Sequence, residues 1–435
     1  MQNEQEGLKR EIGVLGLSAN IVNIIVGAGI FVLPAIVAAG LGSAGILAYL
    51  VCGFLIIMIM LCFAEVGSKI TRSGGAYAYI EAAFGNFPGF LTANLFVLAA
   101  IAADAAVANA LTDMLGFAFP FFNDTLVKSI VIILIFSGLV FVNVRGVKNG
   151  ITMVKLTTVA KLTPLFLLVI VGWVGISWEN LEISSMPPLR TMGEVTLILF
   201  FAFQGGETAL NISGEIKQPN KTVPRGILLG ISVVLILYIS IQITAQGILG
   251  SSLADFKEAP LAEVGRHVFG PFGLTLILIG GAISMFGNLT GEILNMPRVI
   301  YRASKDGIMP PKFLSLVHQK YRTPHVAIII YGSMGCILAL VGKFEQLAIV
   351  SSASMLLIYL GVIFALFRLR RRDNGTEGSF KVPGGYLVPL IAISTILWLL
   401  SNLSTTELIG ITIFIAVLSV IYFIMNMLKR NKKNM

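Results

Sequence analysis

The sequence predicts an all-α integral membrane protein with about twelve transmembrane helices. Composition is the first reason. Only 12% of the 435 residues are charged and 56% are hydrophobic, with a mean hydropathy of +0.89, whereas soluble domains carry about 25% charged residues. The second reason is recurrence: apolar runs of the roughly 20 residues needed to cross a bilayer repeat along the whole chain. The third is that the basic residues fall between those runs, on alternate sides.

The predicted spans are 13–39, 44–66, 88–115, 127–144, 151–175, 192–214, 225–249, 271–296, 324–342, 345–368, 386–403 and 406–428. The stretch from Ser73 to Phe87 is weakly apolar and contains Gly74-Gly75, so it reads as a loop with a short interfacial helix. One set of loops and both termini hold nearly all the Lys and Arg, from Lys9 and Arg10 through Lys69, Arg72, Arg145 and Lys148 to Arg370, Arg371 and Arg372. The opposite set holds only Lys128, Arg190, Lys257, Arg266 and Lys343, a ratio of about five to one. Both termini are therefore expected in the cytoplasm, in a protein of the cell membrane.

The formal charge of +9 belongs to this asymmetry, so the expected partner is the lipid bilayer and not nucleic acid. The N-terminus is polar and mixed in charge through Arg10, and the first apolar run is too long for an h-region, so no cleavable signal peptide is expected. Cys52, Cys62 and Cys336 all lie in apolar runs, which indicates neither a disulfide framework nor a metal site. No HExxH, GxSxG or P-loop pattern is present, so no enzyme and no cofactor are expected.

Inside the first span, Val26-Gly27-Ala28-Gly29-Ile30-Phe31 carries two glycines that each cost a helix about 1 kcal/mol against alanine. An unwound point in hydrocarbon needs partners for the freed backbone groups. It also turns the positive N-terminus of the following half-helix toward a possible anion. The alternative is that the glycines only let a neighbouring helix approach closely. The sixth span holds a second break in Phe201-Ala202-Phe203-Gln204-Gly205-Gly206-Glu207-Thr208. Spans one and six head two sets of five, which must run in opposite orientation because five is odd. Residues 13–175 and 192–368 thus form two inverted halves, followed by a final pair of spans over 386–428. Paired breaks in matching positions point to a transporter binding site at mid-membrane.

Ionisable residues inside spans are costly and mark function by default. Asp104 lies midway along span three among small residues, Glu207 follows the second break, and Lys161 sits about 15 Å into span five. Asp104 could instead be a structural acid paired with a neighbour, Glu207 could satisfy backbone freed by the break, and Lys161 could snorkel to the interface. Glu65, Lys69 and Arg72 read as a solvated or gating network, and Ser351, Ser352 and Ser354 as a pathway face or as glue between helices.

At these residues the chain resembles the amino acid–polyamine–organocation (APC) superfamily. The resemblance rests on Gly27-Ala28-Gly29-Ile30-Phe31, Ser73-Gly74-Gly75-Ala76-Tyr77, Phe203-Gln204-Gly205 with Gly214-Glu215, Pro219 and Val223-Pro224-Arg225, Tyr301 through Pro310, and Phe380-Lys381-Val382-Pro383-Gly384-Gly385. It implies a LeuT-like five-plus-five inverted repeat with two further helices, transporting amino acids by alternating access. The substrate carboxylate would meet the N–H groups of Gly27, Ala28, Gly29 and Ile30, and its ammonium the carbonyls near Phe201, Ala202 and Gln204. Asp104 and Glu207 would bear on substrate charge, and Phe201 and Phe96 would be gates, the latter near the outer entrance. Lys161, beside Ser284 of span eight, would stand where relatives hold a sodium ion, making a proton gradient the coupling force. The expected function is proton-coupled symport of neutral amino acids, with exchange of cationic amino acids or polyamines as the alternative. The expected state is a monomer or homodimer.

Overall fold

The computed structural model describes residues 12–70, 75–146, 150–209, 216–305, 307–309, 312–372 and 380–433. Of the residues singled out above, Lys9, Arg10, Arg72, Ser73, Gly74, Lys148, Gly214, Glu215, Asp306 and Pro310 lie outside the described residues.

The first predicted span is two helices, α1 (Val14–Ile25) and α2 (Gly29–Leu41). They are followed by α3 (Gly45–Lys69), the short α4 (Gly75–Phe84), α5 (Asn86–Ala118), α6 (Thr125–Arg145) and α7 (Gly150–Gly172). The second half begins with α8 (Leu189–Leu199), which tightens into a 3-10 turn over Phe200–Ala202. Then come α9 (Pro219–Leu249), α10 (Pro260–Phe269), α11 (Pro271–Lys305), α12 (His325–Val341) and α13 (Phe344–Arg372). Finally α14 (Leu387–Leu400) and α15 (Thr405–Lys433) close the chain.

Both halves follow one order: a broken helix, a long helix, a short one, then long helices. The short α4 is the interfacial helix expected after span two. Its counterpart α10 was read from sequence as loop, because ten residues with Glu263, Arg266 and His267 have no span-like apolar run. Pro260 starts α10 and the buried Glu263 carboxylate accepts from Arg266 at 2.7 Å, which lets a charged segment pack inward.

Among the described residues, eight helical stretches are long and apolar enough to cross a bilayer, and α1, α12 and α14 are shorter apolar helices. The core lies between the halves, where α13 and α11 pack on α5, and α1 and α3 pack on α9. The periphery turns large apolar side chains outward: Ile130, Leu134 and Phe141 on α6, and Ile409, Ile413, Val417 and Val420 on α15. In water that surface would be a liability; against acyl chains it is the favoured face.

Glu65, expected in a solvated or gating network, is buried on α3. It accepts from Arg370 of α13 at 2.8 and 2.5 Å and from the Val382 amide at 2.7 Å. Arg370 also donates to the Gly385 carbonyl at 2.9 Å. A desolvated two-pronged pair of this kind ties the 380–385 loop to the ends of α3 and α13.

Candidate functional site

Helix α1 ends at Ile25 because the glycines that follow do not hold helical pairing, so its last carbonyls lose their partners. Lys161 of α7 meets two of them: its buried ammonium donates to the carbonyls of Asn23 and Val26, both at 2.6 Å. Thr158, one turn earlier, donates to the Asn23 side chain at 2.6 Å. Tyr238 of α9 donates to the Ile25 carbonyl at 3.1 Å and to that of Ala202 at 3.2 Å, bridging the two breaks. Ser284 of α11 donates to the Gly27 carbonyl at 3.3 Å. Lys161 therefore does not snorkel. A cation at a helix C-terminus is favourable both for the dipole and for the carbonyls it caps.

The N-terminus of α2 is different. No side chain caps it, and its first turn at Gly27, Ala28 and Gly29 lines a cavity. Ile30 points away from that cavity into the core. The two glycines also differ from each other. A Cβ on Gly29 would stand 2.8 Å from Ala202 Cβ and 2.9 Å from its Cα, so Gly29 is where span one and span six touch. A Cβ on Gly27 would meet only the end of the Asn288 side chain, at 3.2 Å. The site and packing readings of this motif thus apply to neighbouring residues.

At the second break Gly205 has φ +98°, a backbone region that L side chains rarely adopt. Its freed amide donates to Glu207 Oε2 at 3.1 Å, and the Tyr359 hydroxyl of α13 donates to the same oxygen at 2.5 Å. Glu207 Oε1 is buried with no partner among the described residues. Glu207 therefore both satisfies the break and keeps one oxygen spare. Gln204 donates to Ser351 of α13 at 2.7 Å. Ser351 lines the cavity, whereas Ser354 bonds back to the Val350 carbonyl of its own helix at 2.8 Å.

Between the breaks lies a cavity of about 100 Å³. Gly27, Ala28 and Gly29 meet Phe201, Ala202, Gln204 and Glu207 there, with Asn288, Glu292 and Met296 of α11 completing one wall. Phe201 closes one end, its ring edge-on to Phe344 with centroids 5.7 Å apart.

A further expected site residue stands elsewhere. Asp104 is fully buried, but its carboxylate accepts from Tyr331 of α12 at 2.8 Å and does not line the cavity, which α5 reaches through Ala99, Ala100, Ala103 and Val107. Phe96 lines the cavity as well, ten residues past the start of α5 at Asn86. Asn109, further along α5, donates to the carbonyls of Ala339 at 2.9 Å and Gly342 at 3.3 Å, where α12 meets α13.

Glu292 was not singled out from the sequence. It lies four residues from the end of predicted span eight, and it shares a stripe with Ser284 and Asn288 at four-residue spacing. That stripe was the available signal. Among the described residues no group of His, Cys, Asp or Glu could hold a metal ion.

A polytopic helical protein with a cavity between two broken helices has the architecture of a membrane carrier. Residues 12–428 match the model of the amino acid permease family. The chain belongs to that family, within the APC superfamily. It is 30% identical to the serine/threonine exchanger SteT of Bacillus subtilis over 422 residues, 94% of each chain. Identity to the branched-chain amino acid permease BcaP of the same organism is 25% over 444 residues, 97% of this chain and 94% of the relative. The b(0,+)-type amino acid transporter 1 of Mus musculus is 28% identical over 406 residues, 90% of this chain and 82% of the relative.

Proposed function

We propose that this chain carries amino acids across the cell membrane by alternating access, with both termini cytoplasmic. One observation carries the proposal: the uncapped N-terminus of α2 opens on a cavity that the second break also lines. The α-carboxylate lies on the N–H groups of Gly27, Ala28 and Gly29, where the half-helix dipole favours an anion. The α-ammonium faces the carbonyls of span six near Phe201 and Gln204. The Ala202 carbonyl already accepts from Tyr238. Phe201 and Phe344 form the lid on one side.

Lys161 is the coupling residue in this proposal. While protonated, its ammonium clamps the end of α1; loss of the proton releases Asn23 and Val26 and frees α1 to move. The second reading, exchange without net proton flux, is favoured by the likeness to an exchanger, SteT.

Purified protein in liposomes separates these. Uptake of labelled amino acids stimulated by an inward proton gradient is the expected result. Uptake that requires internal amino acid and ignores the gradient would overturn coupling and establish exchange. A diamine, which has no carboxylate, is expected to compete at least tenfold more weakly than the amino acid of matching length. Equal competition would overturn the carboxylate site.

A further inference from the structure

The cavity carries more acidic side chains than the two breaks account for. Glu292 lines it from α11, half-buried, and makes no hydrogen bond or ion pair among the described residues. Glu207 lines it too, 5% exposed, with Oε1 buried and unpartnered. The two carboxyls are close enough to repel, and Asp104 is within electrostatic reach of Glu292 from behind the wall. Among the described residues no Lys, Arg or His lines the cavity. Lys161 is turned the other way, with its ammonium on the carbonyls of Asn23 and Val26. Uncompensated acids in such a place are costly. A neutral amino acid brings no net charge to offset them, because its carboxylate cancels its ammonium.

The spacing fits a ligand that brings an extra cation. Asn288 stands against Gly27, at the carboxylate end of the site. Glu292 is one turn further along α11, about 6 Å at 1.5 Å per residue, a distance that the stem of a lysine-length side chain spans. We propose that Glu292, together with the free oxygen of Glu207, receives the cationic end of the substrate's side chain. The preferred substrates are then amino acids with a second ammonium or a guanidinium. This choice takes the cationic alternative of the sequence reading over the neutral substrate expected first, and it rests on the amino acid site proposed above.

The test is competition and uptake with labelled lysine and labelled serine in liposomes, for the native protein and for Glu292→Gln. Native protein is expected to prefer lysine at least tenfold. Glu292→Gln is expected to lose lysine uptake tenfold or more while serine uptake changes less than threefold. Serine uptake with no competition by lysine or arginine in the native protein would overturn the inference, whatever the variant does, and leave the amino acid site standing. An equal fall for both substrates in a variant of unchanged melting temperature would overturn it as well. Failure of the native protein to take up any amino acid would overturn the proposed function and this inference together.

Discussion

The first break leaves carbonyls exposed at the end of α1, and the chain answers with donors: Lys161, Tyr238 and Ser284. The second leaves the Gly205 amide exposed, and the answer is an acceptor, Glu207. Both breaks are repaired from one side only. What remains unrepaired is the N-terminus of α2, which lines the cavity between them, and Glu207 Oε1, buried without a partner among the described residues on a side chain that lines the same cavity. Hydrocarbon offers no water to finish the job, so the incomplete side of each break is where a polar ligand belongs. A carboxylate at the first and a cationic group at the second match those two ends in sign.

Removing the first repair should have the largest effect. In Lys161→Met the carbonyls of Asn23 and Val26 lose their donor, and a buried acceptor left unsatisfied costs about 1–3 kcal/mol. Proton-driven uptake is expected to disappear, with a lower melting temperature in detergent. Intact pH-driven uptake in liposomes would remove Lys161 from coupling. Next comes a control remote from both breaks. Arg370→Leu strands the buried Glu65 carboxylate, at a cost of about 3–5 kcal/mol. Thermal unfolding should show that loss, while protein that remains folded keeps its KM.

Two glycine substitutions separate packing from binding within the first break. Gly29→Leu drives a side chain into Ala202 and is expected to cost about 1–3 kcal/mol and to lower the folded yield in size-exclusion chromatography. Gly27→Ala meets only Asn288, which can move aside, so the protein should fold and bind its substrate about tenfold more weakly, a change of about 1.4 kcal/mol. A well-folded Gly29→Leu that fails only in binding would mean that both glycines serve the ligand. The smallest effect is expected for Ser284→Ala, which removes one long hydrogen bond to Gly27, worth about 0.5–1.5 kcal/mol. Uptake should fall less than fivefold, and a loss as complete as that of Lys161→Met would place Ser284 in the coupling step.

The legible part of the site was the backbone. Gly27, Gly29 and Gly205 are conspicuous because glycine inside an apolar span has few reasons to be there. Lys161 was legible because a lysine 15 Å deep needs a partner. Its partners were not legible from the residues, since a carbonyl carries no side-chain signature. Glu65 looked exposed because it lies near a span end, and Arg370, 305 residues later, buries it.

Sequence alone determined the helical membrane class, the order of the spans and the positions of the two breaks. Each of these follows from apolar run length or from glycine, both local properties. Tertiary structure alone decided which breaks were repaired and by what. Tyr238 can bridge Ile25 and Ala202, and Glu292 can join Glu207, only after helices distant in sequence have packed. The same packing split Gly27 from Gly29, because the distance from a backbone to its neighbour exists only in the folded molecule.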